Sequence, residues 1–247
     1  MNIPSLRPIF VLPLLLLAFA ASLSAQEEGQ QSEAPKTKPK RVFTCLYWEG
    51  LPQETLYYRM GEEFLPIEFN DSRRSMEYAL KNMASFELYR DAMQPVEDKP
   101  PYDLLSKTSI PSGTNRVLFL VIPFEREDST TYKVVAMDDS LSAFPRGTFR
   151  FANFTNQTLL VKFAGDVEKI PASQMSVMSC KPGKAGGFRT FIIGTAQGKQ
   201  IFGTKLFGQP SGRELVFISP PLRRGSNIPR VKFISQLIGA QPPAAQQ

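Results

Sequence analysis

The chain has 247 residues, with 29 Lys and Arg against 23 Asp and Glu, a formal charge of +6 and no histidine. Without an imidazole there is no Ser-His-Asp or Cys-His hydrolytic centre, no His-liganded zinc and no histidine proton shuttle. Catalysis would need paired carboxylates, a Ser-Lys or Thr nucleophile, or an oxygen-ligand metal site.

Residues 1–25 read as a secretory signal peptide. Arg7 precedes an apolar run from Ile9 to Ala21, and Leu23-Ser24-Ala25 is a small-residue cleavage site before Gln26-Glu27-Glu28. Pro13 interrupts a run already shorter than the roughly 20 apolar residues of a bilayer span, so no transmembrane segment is expected after signal removal. The expected address is periplasmic or extracellular. Residues 26–40, rich in Gln, Glu, Ser, Pro and Lys, read as a disordered linker, and 239–247 as a disordered tail. Of the basic residues only Lys36, Lys38, Lys40 and Arg41 cluster, so no nucleic-acid partner is expected. The positive excess reads as solubility, with mild affinity for anionic envelope polymers.

Between the ends, short runs of Val, Ile, Phe, Tyr and Thr alternate with Pro, Gly, Asn and Asp, the pattern of strands and turns. Val42–Trp48 places Phe43, Cys45 and Tyr47 on one face and Val42, Leu46 and Trp48 on the other, so this strand is expected to be covered on both sides. Thr55–Met60 and Glu63–Phe69 flank Gly61-Glu62, a two-residue reversal of the type that opens with glycine. Ser75–Leu80 and Ser85–Arg90 suggest a further strand pair, with a helix over Ser75–Met83 as the alternative. Tyr102–Ile110 leads to Val117–Ile122, the most apolar stretch after the signal and the expected central strand, ended by Pro123. Phe124–Ser129 is polar enough to be a linker. Beyond it, strands are expected at Tyr132–Met137, Thr148–Asn153, Leu159–Phe163, Val167–Ile170, Phe188–Thr195, Lys199–Phe207, Glu214–Ile218 and Arg230–Leu237. The fold expected is all-β: two packed immunoglobulin-like β-sandwich modules, at 41–125 and 126–238. The two halves share a rhythm, but no residue-level repeat can be aligned by eye.

Cys45 and Cys180 are the two cysteines. In an oxidising compartment they form a disulfide worth roughly 4 to 5 kcal/mol in the chain-entropy model, or else Cys45 is a small buried hydrophobe and Cys180 a loop thiol. Asp138 and Asp139, with Asp166 and Glu168 in later loops, are the carboxylates to weigh for acid–base or calcium chemistry. Loop aspartates before a serine more commonly bond their own backbone. No catalytic, cofactor or metal site is assigned, and no cofactor is expected. Asn70, Asn153 and Asn156 open glycosylation sequons, Lys181–Gly187 reads as a Gly-rich loop, and Tyr47, Trp48, Tyr57, Tyr58 and Tyr89 are either a glycan-stacking face or core and cross-strand pairs.

Two β-sandwich modules with an apolar strand running into Pro, here Val117–Pro123, resemble the outline of periplasmic pilus chaperones, which implies a chaperone-like adaptor. Neither their ligand-anchoring basic residues nor their interdomain cleft has matching positions here. The expected function is an exported binding or structural protein rather than an enzyme. Its partner is an envelope or extracellular protein or polysaccharide, with Leu159–Phe163 as an exposed docking edge. A carboxylate-dependent glycan hydrolase using Asp138 or Asp139 is the competing class.

Overall fold

A computed structural model describes residues 41–81, 84–94, 100–125, 130–179, 187–221, 223 and 225–237. The expected signal peptide, N-terminal arm and C-terminal tail lie outside them. Among the described residues the protein is all-β. Strands β1 (Val42–Tyr47), β2 (Leu56–Met60), β3 (Glu63–Pro66), β4 (Tyr78–Ala79), β5 (Ser85–Asp91), β6 (Tyr102–Ser109), β7 (Arg116–Glu125) and β8 (Thr130–Asp138) make the first half. The second comprises β9 (Thr148–Asn153), β10 (Leu159–Phe163), β11 (Asp166–Ile170), β12 (Met175–Ser179), β13 (Gly187–Thr195), β14 (Gln200–Gly208), β15 (Gly212–Ser219) and β16 (Arg230–Leu237).

These strands form four sheets of four, with orders β3-β2-β5-β6 and β4-β1-β7-β8 in the first half and β12-β9-β15-β16 and β11-β10-β13-β14 in the second. Adding eight to every label of the first half reproduces the second. Even the parallel pairs correspond, β1 with β7 and β9 with β15. The duplication reaches residues. Phe86 and Phe191 fill equivalent buried places, and the bulge between Leu88 and Tyr89 recurs between Ile193 and Gly194. Leu56 and Ile67 close one hairpin as Leu159 and Ile170 close the other, and Ser72 and Ser173 take positive φ in matching turns. A sequence trace survives: Pro111-Ser-Gly113 and Pro210-Ser-Gly212 precede Arg116 and Arg213, equivalent residues of β7 and β15.

Alternation along the inner strands builds three stacked cores. Phe43, Cys45 and Tyr47 of β1 join Val117, Phe119 and Val121 of β7 in the core of the first sandwich, and Phe149, Phe151, Val216 and Ile218 lie in that of the second. The opposite faces meet in a third core, where Leu46, Leu118, Leu120 and Met137 face their equivalents Ala152, Leu215, Phe217 and Ile234. The same positions of each half therefore meet, as in an isologous dimer interface. Strands buried on both faces must be apolar throughout, which explains the unbroken run Val117–Val121.

Several expectations are corrected. Residues 75–83 form no helix among those described, and β4 pairs with β1 while β5 pairs with β2 and β6. The strand through Pro123 continues to Glu125, because β1 has ended opposite Val121 and only β8 remains as a partner there. The boundary expected between 125 and 126 separates β7 from β8, which are antiparallel partners in one sheet. The sandwiches meet instead across the connection after Asp138. Leu159–Phe163 is not an edge: β10 lies between β11 and β13. The hairpin at Gly61, φ 73°, is as expected.

Candidate functional site between the sandwiches

The two ends of the shared inner layer differ in chemistry. At one end, the residues after β8 fold into a charged clamp. Asp139 is fully buried, and its Oδ2 accepts hydrogen bonds from Arg74 and, at 3.2 Å, from Arg213. Arg213 also donates to the carbonyls of Asp139 (2.9 Å) and Phe144 (3.1 Å) and to Gln236 of β16. Arg150 donates to the Ala143 carbonyl, and both Arg150 and Arg213 lie over the Phe144 ring, 4.4 and 4.8 Å from its centroid. Burial pushes both guanidinium groups down, Arg213 to about 10, against the pull of Asp139. Asp138 accepts from Thr114 and from the Ser140 N–H. Burial raises its carboxyl, but the Ser140 and Thr114 hydrogen bonds outweigh this and hold it below its ordinary value.

The two aspartates singled out from the sequence are thus structural. Asp139 binds arginines where a substrate has no access, and Asp138 bonds its own turn. The other carboxylates, Asp166 and Glu168, stand on β11 of the second sandwich, and the structure does not bring them to the clamp. Among the described residues no three His, Cys, Asp or Glu side chains gather as a metal-binding group. Cys45 is a buried free cysteine whose thiol burial pushes far up; Cys180 and the Gly-rich residues 181–186 lie outside the described residues. Asn153 is buried rather than displayed, its amide donating to the carbonyls of Gln157, Ile170 and Pro171. The aromatics separate by face: Tyr47 and Tyr58 are core, while Tyr57 and Tyr89 stand with Phe64 and Tyr102 on an outer sheet. There the rings cover one another, Phe64 and Tyr102 stacked at 4.2 Å, which is cross-strand pairing rather than an open platform.

The other end of the layer holds a cleft of about 430 Å³, within the range of small-ligand sites. The first sandwich contributes Trp48 and Glu49, just after β1, and Ser72 from its positive-φ turn; the second contributes Ser219 at the end of β15 and Arg230 and Lys232 on β16. Trp48 packs against Phe154 and Phe217 at 5.8 and 5.6 Å. Its carbonyl accepts a hydrogen bond from the Lys232 ammonium, which also lies 6.0 Å from the indole centroid. Arg230 pairs with Glu49. The Ser219 hydroxyl is buried without a hydrogen-bond partner among the described residues.

Equivalence between the halves makes this polarity conspicuous. Through the ladder registers, Ser219, Arg230 and Lys232 correspond to Ile122, Lys133 and Val135, and Ile122 and Val135 pack on the shared core. In one copy of the place Ile122 and Val135 pack on the core, whereas in the other Ser219 and Lys232 line an open polar cleft. No protein-family model matches the chain, and no curated protein matches it. Among solved structures it is similar to a DUF3823 family protein from Bacteroides ovatus, at 7% sequence identity over 68% of this chain and 98% of that one, with a TM-score of 0.16. No helix among the described residues is long and apolar enough to cross a membrane. Of the cleft residues, Trp48 alone carries a sequence signal that points to ligand binding. Ser219, Arg230 and Lys232 stand out only once β15 and β16 are laid over β7 and β8.

Proposed function

We propose that this is an exported binding protein, periplasmic or extracellular, that captures a polar ligand in the cleft between its two sandwiches. The supporting observation is Ser219: a buried hydroxyl without a partner is unfavourable, and here it replaces the isoleucine of the equivalent position. Such a hydroxyl is retained without loss when a ligand supplies the missing partner. The signal-like residues 1–25 support export. The immunoglobulin-like character of the modules is an analogy of layering and use, a rigid pair of sandwiches presenting a site at their junction. Each module here has four strands in both sheets, whereas the constant-type immunoglobulin domain sets four against three.

Trp48 is the single tryptophan of the chain, so its fluorescence reports on the cleft alone. Titration of the chain from Gln26 with envelope saccharides and peptides is expected to shift or quench that emission. Ser219→Ile, which installs the residue of the equivalent site, is expected to abolish the response while leaving the fold intact. Binding that leaves Trp48 unchanged and survives Ser219→Ile would place the site elsewhere and refute the proposal.

A further inference from the structure

Resting on this reading of the cleft, we infer that its ligand is an acidic saccharide whose carboxylate is received by Lys232 and whose hydroxyls or ring oxygen satisfy Ser219. Lys232 has no carboxylate within ion-pair distance among the described residues; its partners are a backbone carbonyl and the face of an indole. The cation next to it, Arg230, is already matched by Glu49. One cation of the lining is therefore without a direct ion pair among the described residues, Asp71 acting on it only from beyond ion-pair distance, and a ligand carboxylate supplies that pair. Burial lowers the Lys232 ammonium, a penalty that Asp71 offsets and the like charge of Arg230 increases, so an anion placed there gains from relieving it.

A carboxylate fits better than a phosphate. Phosphate recognition gathers several free N–H donors, and the guanidinium that would provide a fork is committed to Glu49. A saccharide fits better than an acidic peptide for a geometric reason. A peptide joining the sheet would pair with the free edge of β16, whereas the unpartnered hydroxyl belongs to β15, one strand inward. The mixed set of Ser72, Ser219, Glu49 and Lys232 offers donors and acceptors side by side, which suits a hydroxyl-bearing ring.

The test is isothermal titration of the chain from Gln26, with Trp48 emission recorded in parallel. The probes are an oligogalacturonate, its methyl ester of the same length, and a hexaglutamate peptide. The acid is expected to bind at least tenfold more tightly than the ester, and Lys232→Met, which keeps the aliphatic stem, to reduce that preference to less than twofold. Lys232→Gln serves as an independent second variant, and thermal melts confirm that each folds. Equal binding of acid and ester at the cleft would overturn the carboxylate inference and leave the cleft reading standing. Binding of the peptide but neither saccharide would overturn the saccharide class. Silence of Trp48 and of the calorimeter to all three probes would overturn the inference at its root, and failure across the wider saccharide and peptide titration would remove the cleft reading too.

Discussion

Asp139 and Arg213 are 74 positions apart in sequence and 3.2 Å apart in the fold, joining the end of the first sandwich to β15 of the second. Asp139 faces three largely buried guanidinium groups, those of Arg74, Arg150 and Arg213, and two of them bond it directly. Replacing it leaves buried cations without their anion. Asp139→Asn is expected to lower the unfolding free energy by about 3–5 kcal/mol, read from urea denaturation. Asp138→Asn, which loses only a partly exposed turn acceptor, is expected to lower it by about 1 kcal/mol. A smaller loss for Asp139→Asn than for Asp138→Asn would refute the clamp.

Asn153 ties β9 to two loops through one amide. Its nitrogen serves three carbonyls, and its Oδ1 accepts from the Thr155 N–H and hydroxyl at 3.0 and 2.6 Å. Asn153→Ala strands buried acceptors and is expected to destabilise by about 2–4 kcal/mol. The same burial makes Asn153 unavailable for glycosylation in the folded protein. Asn70 and Asn156 are exposed, so in a glycosylating host a peptide map should find glycan at those two sites before Asn153.

Cys45 tests the packing of the first sandwich. Its burial and raised thiol predict no alkylation by iodoacetamide at pH 8 while the protein is native. On unfolding without reductant, a free Cys45 takes the label. Protection that persists until reductant is added would instead establish the bridge to Cys180.

Alkaline pH should unfold the protein. Burial raises Tyr47, Tyr58, Tyr78 and Tyr132, with Tyr78 reaching about 12 and Glu54 adding to the rise of Tyr132. Their native state holds protons that the unfolded chain releases near pH 10. This contribution is complete below pH 10 and is lost as pH climbs toward 12. Lys232, Arg150 and Arg213 act in the opposite sense, since burial makes their native forms release a proton first, but the raised groups outnumber them: the four tyrosines with Tyr57, Tyr89 and Cys45. Tyrosinate absorbance near 295 nm is expected to rise cooperatively with loss of β signal in circular dichroism. Independent titration of all tyrosines near pH 10 in a folded protein would contradict the burial.

Strands were legible because alternation writes itself into the residues: the two faces read for Phe43, Cys45, Tyr47 and for Leu46, Trp48 are the faces of two different cores. The repeat was hidden because residues at equivalent places differ in identity and in size while the places themselves correspond. Cys45 answers to Phe151, Tyr89 to Gly194, and a hydrophobic core accepts such exchanges when its total filling is preserved. The short edge strand β12 was missed because Met175–Ser179, mostly exposed, has little of the apolar alternation that marks a buried face. The cleft was beyond reach for another reason. Trp48, Ser72, Ser219 and Lys232 are brought together by strand order alone, and no spacing along the chain records it. Asp139 drew notice as a loop carboxylate, but its three arginines are scattered at 74, 150 and 213.

The parallel pairs β1–β7 and β9–β15 set the order in which this molecule can assemble. Neither half can close its inner sheet until its seventh strand exists, so residue 42 waits for residue 116 and residue 148 for residue 213. Contacts of such sequence separation favour slow folding, with hairpins such as β2–β3 and β10–β11 forming long before the sheets that bury them. A chain emerging N-terminus first completes β8 before β9 begins, leaving an apolar face of Leu46, Leu118 and Leu120 exposed until the second half arrives to cover it. During that interval the first sandwich is a half-molecule with an open flank, the stage at which aggregation or capture by a folding helper would compete with completion.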